Sequence, residues 1–305
     1  MKKLVVLLGP TASGKSALGV QLAKKFNGEI ISADSRQVYK GLTIGTGKIT
    51  QKEMMGIPHH LLDVASPKKR FTVSQYRSRA IEAMASIARQ GKLPILVGGS
   101  PFYIYSVVDG WTIPAVKPNP LLRKKLEKLS VQELFLKLKK LDPERARTLQ
   151  QSSGQGRNKR RLIRALEIVL STGKPVPPLQ KSILTTAPWY ASDVLFIGIK
   201  KSKSEIQKLI TQRLTKRFKQ GMIEEVANLH KQGLSWKRLE ELGLEYRFIA
   251  QYLQEKLSLE EMKSKLQKAI KDFARRQMTW FKKDPRIHWI KSSQEAEILV
   301  RQFLL

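Results

Sequence analysis

At 305 residues the chain is too long for a minimal module and short for two full-sized domains, so one large domain with a smaller one inserted is expected. A hydrophobic content of 41% excludes a disordered chain, and the absence of cysteine excludes a disulfide framework, a thiolate nucleophile and a Cys-built zinc site. The 57 Lys and Arg against 25 Asp and Glu leave a formal charge of +32, which calls for a polyanionic partner, with nucleic acid the first candidate.

Leu4 to Leu8 reads as a buried strand and not as a leader, because only five apolar residues precede Gly9-Pro10. From Gly14 the apolar spacing turns helical. Glu29 to Ala33 reads as a second strand, Ser74 to Gln90 as a helix, and Pro94 to Val97 as a third strand stopped by Gly98-Gly99. At Trp111 the character changes: prolines 114, 118 and 120 open, and prolines 175, 177, 178 and 188 close, a Lys- and Leu-rich segment that reads as helical from Leu121 to Leu149. Asp193 to Lys200 is again a buried strand, followed by helices over Ser204–Gly221, Met222–Lys231 and Ser258–Lys282. The fold class is α/β, a P-loop-type parallel sheet flanked by helices with a small all-helical insertion; the core spans 1–110 and 189–305 and the insertion 111–188. No run approaches the roughly 18 apolar residues of a membrane helix, so no membrane partner is expected and the cytoplasm is the expected compartment.

The most specific motif is Gly9-Pro10-Thr11-Ala12-Ser13-Gly14-Lys15-Ser16, which fits G-x-x-x-x-G-K-[ST] between a predicted strand and a predicted helix. Backbone N–H groups and the helix N-terminus would bind phosphate oxygens, Lys15 adds a point charge, and the Ser16 hydroxyl can sit on Mg²⁺. Gly45-Thr46-Gly47-Lys48-Ile49 imitates part of this pattern, but Leu42 stands where the first Gly belongs, and it is not read as a second phosphate loop. The strand ending in Gly98-Gly99-Ser100 lacks the carboxylate of an ordinary P-loop ATPase. The acid beside the loop is Asp34, which reads as a general base, a magnesium ligand or the cap of the following turn, in that order. Arg36 and Gln37 beside it suit the edge of an adenine. His59-His60 read as structural, since adjacent histidines do not share a face.

The runs GPTASGKS (9–16), ISADSRQVYKGLTIGTGK (31–48), GIPHHLLDVASP (56–67), PILVGGS (94–100), RRLIRALEI (160–168), GLEYR (243–247) and RRQMTWF (275–281) together resemble the bacterial tRNA dimethylallyltransferases, over nearly the whole chain. The resemblance implies transfer of a dimethylallyl group from dimethylallyl diphosphate to N6 of the adenosine immediately 3′ of the anticodon, giving N6-(dimethylallyl)adenosine. It makes Asp34 the base, Ser100 a hydroxyl near the bridging oxygen in place of the usual Thr, and Lys15 a catalytic cation. Gly9 to Ser16 with Arg213 would bind diphosphate, and Ser16 would hold Mg²⁺. The tRNA anticodon stem-loop would meet Asp34, Ser35, Arg36, Gln37 and Ser100, then Arg123, Arg160, Arg161 and Arg164 in the insertion. Gly243, Arg247, Arg275, Arg276, Gln277, Trp280 and Lys282 complete that surface, Trp280 being as readily a core residue as a stacking one. A monomer is expected. Pro101-Phe102-Tyr103 and Ile49 depart from the family's usual Gly-Leu-Tyr and Pro. A small-molecule or nucleotide kinase using Asp34 toward an acceptor hydroxyl is the rival reading, and an RNA-binding protein without catalysis the third.

Overall fold

Leu4–Leu8, apolar throughout and buried on both faces, form β1, as a central parallel strand requires. The structure is a computed structural model that describes residues 3–111, 114, 116–151, 158–177 and 194–305. After β1 come α1 (Lys15–Lys25), β2 (Gly28–Ala33), the single-turn α2 (Gln51–Met54), β3 (His59–His60), α3 (Val73–Arg89), β4 (Leu93–Gly98) and α4 (Pro101–Val108). Helices α5 (Pro120–Glu127), α6 (Val131–Leu141), α7 (Pro143–Gln151) and α8 (Lys159–Thr172) follow. The chain then forms β5 (Val194–Ile199), α9 (Lys203–Lys219), α10 (Met222–Lys231) and α11 (Trp236–Leu242). It ends with α12 (Leu244–Leu253), α13 (Leu259–Phe281), β6 (Ile287–Ile290) and α14 (Ser293–Leu304). Two compact units result, Met1–Gly110 with Leu184–Leu305, and Trp111–Ile183.

In the first unit six parallel strands run in the order β3-β2-β4-β1-β5-β6. Leu8 and Ala33 both pair with Gly98, so β1, β2 and β4 end level, and the segments that leave them meet at one edge of the sheet. One core beneath the sheet gathers Val5, Leu7, Leu22, Ile95 and Ile197 with Ala296 and Val300 of α14. Ile49 packs against this core, and Pro101 takes the first turn of α4, where its missing N–H costs nothing, so neither departure breaks an element. His60 Nε2 of β3 lies 2.7 Å from Glu29 Oε2 of β2, a structural pairing between neighbouring strands.

The Trp111–Ile183 unit has its own core, Leu126, Leu134, Leu138, Leu149, Leu162 and Leu166 among its members. The continuous helical stretch expected from Leu121 to Leu149 is instead three helices. Ser130 turns its side chain onto the N–H of Glu133 and starts α6 in a reciprocal capping box. Asp142 is extended before Pro143, as a residue preceding proline prefers, and caps α7 through Arg145 N–H at 3.0 Å. The prolines at 178 and 188 and the first residue of the expected Asp193 strand lie outside the described residues.

Candidate active site

The segment after β1 enters α1 through Gly14, and that helix has no side-chain cap, which leaves its first N–H groups to an incoming anion. Lys15 Nζ donates to the Pro10 carbonyl at 2.6 Å and lies 3.5 Å from Ser13 Oγ. Burial, reinforced by the nearby Arg213 guanidinium and opposed by Asp34, holds the Lys15 ammonium down to about 7. The loop is braced from outside: Thr11 N–H donates to Gln277 Oε1 at 2.8 Å, and Gln277 Nε2 donates to the Gly99 carbonyl at 2.6 Å. Gln277 is buried, so its amide is a strut between the loop and the end of β4 rather than an open contact.

Asp34 follows β2 and is half-buried. Its Oδ1 accepts from Arg36 N–H at 2.8 Å and Gln37 N–H at 3.3 Å, so the capping arrangement weighed from the sequence is present and fixes the direction of the carboxylate. Neither bond uses Oδ2. Ser100 Oγ accepts from Ser35 N–H at 3.1 Å, tying the end of β4 to the turn after β2. Gln37 spends its amide inside the protein, donating to the carbonyls of Thr46 (3.4 Å) and Gly47 (3.3 Å) and accepting from Ser32 Oγ.

Two cavities meet here. A smaller one of about 70 Å³ is lined by Lys15, Ser16, Gly98, Gly99 and Gln277, and a larger one of about 270 Å³ by Ser35, Arg36, Ser100, Gly243, Arg247 and Arg276. Thr11, Asp34, Thr46, Arg213 and Phe273 line both. Ile270, Phe273, Arg276 and Gln277 recur at three- and four-residue steps, which puts one face of α13 along the site. Burial and the adjacent Arg217 lower Arg213 to about 10, against the pull of Glu245 and Asp34. The lining is therefore rich in cations around Asp34, the field that a diphosphate and a polynucleotide both favour.

The residues also fit Mg²⁺. The Ser16 hydroxyl and the Asp34 carboxylate on the smaller cavity are hard oxygen donors, and no cluster of three or more His, Cys, Asp or Glu that could hold a metal alone occurs among the described residues. Such a sparse set suits an ion that keeps several waters and takes its remaining ligands from phosphate oxygens.

Other expected residues lie away from the cavities. Arg275 is exposed and pairs with Asp272 at 3.0 Å, Lys282 caps the C-terminus of α13, and Trp280 stands edge-on to Phe102 with ring centroids 5.4 Å apart. On the other unit Arg160 is exposed and Arg161 half-buried, whereas Arg123 and Arg164 both grip the fully buried Glu167 at 2.6 Å. Burial would raise that carboxyl, but the hydrogen bonds from Arg123, Asn119 N–H and Arg164 prevail and hold it down to about 2.

The sequence reading passed over Thr46 and Phe273 on the walls and Arg217 behind them, and took Glu245 only as part of the Leu242–Arg247 span. Arg217 is buried, pairs with buried Glu245 at 3.0 Å and donates to the Gly45 carbonyl at 3.0 Å. Glu245 stood within the quoted GLEYR run, but only the fold brings it against α9.

A family model described as IPP transferase matches residues 37–284. The chain is 42% identical over 296 residues to tRNA dimethylallyltransferase 2 of Citrifermentans bemidjiense, spanning 96% of this chain and 92% of that one. It is 41% identical over 293 residues to the tRNA dimethylallyltransferase of Caldanaerobacter subterraneus, spanning 94% and 91%. The full-length tRNA isopentenylpyrophosphate transferase of Bacillus halodurans has a similar structure, TM-score 0.71 at 32% identity, over 100% of this chain and 96% of that one. A eukaryotic dimethylallyltransferase acting on tRNA shares the fold, with TM-score 0.80 at 24% identity over 100% and 80%. With its fold, its phosphate loop and these relatives in agreement, the chain belongs to the IPP transferase family, that of the tRNA dimethylallyltransferases.

Proposed function

We propose that this protein transfers the dimethylallyl group of dimethylallyl diphosphate to N6 of the adenosine immediately 3′ of the anticodon of tRNA. The observation that carries the reading is Asp34 at the junction of two cavities, one lined by Lys15 and Ser16, the other by Arg36, Arg247 and Arg276. A diphosphate leaving group in the smaller cavity and an extruded adenine in the larger would meet at this carboxylate.

In the transfer the N6 lone pair attacks C1 of the allyl group, and the C1–O bond breaks with its electron pair passing to the diphosphate. Asp34 takes the N6 proton on Oδ2, its Oδ1 being held by two backbone N–H groups. Because Ser100 Oγ already accepts from Ser35 N–H, its hydroxyl proton is available for the bridging oxygen. Lys15, Arg213 and the uncapped N-terminus of α1 face the charge that builds on the leaving group. Ser16 would hold Mg²⁺, which would supply further charge neutralisation at the leaving group.

For tRNA, Arg36, Arg247 and Arg276 border the pocket of the flipped base, with Arg275, Trp280 and Lys282 further along α13. Arg160 and Arg161 are the proposed phosphate contacts of the inserted unit. Arg123 and Arg164, committed to Glu167, first of all build that unit. Labelled dimethylallyl diphosphate incubated with an unmodified tRNA that reads codons beginning with U, beside a parallel incubation with ATP, tests the proposal. Label on RNA supports it; ATP turnover with no label on RNA would transfer the case to a kinase.

A further inference from the structure

Segment Thr43–Lys48, which runs into the Gly45–Ile49 imitation of a phosphate loop, uses the backbone at 43–45 as an anion site for the protein itself. The carboxylate of Glu225, on α10, accepts from the N–H groups of Thr43 (3.0 Å), Ile44 (2.6 Å) and Gly45 (3.0 Å), and from the hydroxyl of Tyr246 at 2.8 Å. Nothing in the reaction uses Glu225, and it lines neither cavity. What it holds does face the site. The Gly45 carbonyl accepts from Arg217, the Thr46 carbonyl from Arg213, and the carbonyls of Thr46 and Gly47 from Gln37. The fit leaves no room for adjustment, since a Cβ on Gly45 would stand 2.8 Å from the Tyr246 ring.

We propose that Glu225 is a positioning residue for the transfer reaction: its carboxylate pins segment 43–45 and so sets the carbonyls that aim Arg213 at the diphosphate. The inference rests on the proposed function, because Arg213 has an anion to meet only if the smaller cavity takes one. Four hydrogen bonds converge on one carboxylate, and an amide cannot reproduce them, having one accepting oxygen and an NH₂ that would face backbone N–H groups. Glu225→Gln should therefore weaken the site nearly as much as Glu225→Ala, while Tyr246→Phe, which removes a single bond, should weaken it less.

The test measures KM for dimethylallyl diphosphate, kcat, binding of inorganic diphosphate and the melting temperature of the full chain, for wild type, Glu225→Gln and Tyr246→Phe. The expected result is a rise of about tenfold in KM and in the Kd for inorganic diphosphate for Glu225→Gln, and about threefold for Tyr246→Phe, with tRNA affinity within twofold of wild type. A lowered melting temperature with unchanged KM and Kd overturns the proposal and leaves Glu225 a purely structural residue. If Glu225→Gln fails to fold, Tyr246→Phe decides on the same two constants, and values equal to wild type overturn it. Failure of wild type itself to bind inorganic diphosphate would overturn the functional reading and this inference with it, whereas changed constants in the variants alone bear on Glu225.

Discussion

Two loops of similar composition flank the same carboxylate, and their backbones meet opposite fates. At 9–16 the N–H groups opening α1 have no side-chain cap, and burial and Arg213 hold Lys15 down to about 7. At 43–48 the N–H groups of Thr43, Ile44 and Gly45 are already satisfied by Glu225, and Lys48 is buried against Asp63 at 2.6 Å and the Tyr39 carbonyl. A glycine-rich turn with a lysine is thus a ligand site only where the fold withholds an internal anion from it. The first loop is the proposed receiver; the second supports.

The largest effect should fall on the carboxylate between them. Asp34→Asn is expected to lower kcat of transfer by about a thousandfold, the scale of a lost general base, with tRNA affinity within threefold in a filter-binding assay. Unchanged turnover would reduce Asp34 to the cap that its bonds to Arg36 and Gln37 already make it. Next comes Lys15→Met in the receiving loop, expected to cost about a hundredfold in kcat/KM for the donor through lost charge stabilisation.

Gly47→Ala strikes the supporting loop. Gly47 has φ +57°, and a Cβ there would lie 1.7 Å from Arg217 Nη2 and 2.9 Å from Arg213 Nη2. The substitution should destabilise the chain by about 1–3 kcal/mol in denaturant titrations and raise the KM for the donor. Gly14→Ala, also at positive φ but with no atom within 4 Å of the added Cβ, should cost less stability and separates backbone strain from collision.

A smaller effect has a sign fixed by Lys15. Burial and Arg213 lower its pKa to about 7 in the free protein, and a bound diphosphate, being anionic, moves it back up. Near pH 8.5 donor binding should therefore take up close to one proton, and at pH 6, where the ammonium is already formed, almost none. Calorimetry in buffers of different ionisation enthalpy reads this uptake, and Lys15→Met should abolish it. The smallest effect separates open from committed arginines. Arg276→Ala should reduce the salt slope of tRNA binding by about one. Arg123→Ala, which strips a partner from buried Glu167, should instead destabilise the Trp111–Ile183 unit by about 3 kcal/mol.

The receiving loop was legible in the sequence because its chemistry is local: strand, glycine turn, Lys15-Ser16 and helix follow one another within a few residues. Asp34 was legible for a similar reason, standing at the end of an apolar run. The longer strands and Met222–Lys231 showed through their apolar spacing, whereas β3 and β6, with two and four residues, carry too few positions to declare a period. The supporting wall was hidden because its contacts span the chain: Glu225 lies 182 positions from Thr43, and Gln277 lies 266 from Thr11. Gln37 shows the cost of reading a residue by its neighbours alone, since an amide suited to an adenine edge is held by the carbonyls of Thr46 and Gly47.

Nucleoside mass analysis puts the main claim to the most direct test. An unmodified anticodon stem-loop RNA is incubated with Mg²⁺, dimethylallyl diphosphate and either wild type or Asp34→Asn, then digested. The account predicts a single adenosine, the one 3′ of the anticodon, heavier by one C5H8 unit with wild type and unaltered with the variant. RNA of unchanged mass after treatment with wild type, or equal gain with both proteins, would contradict it.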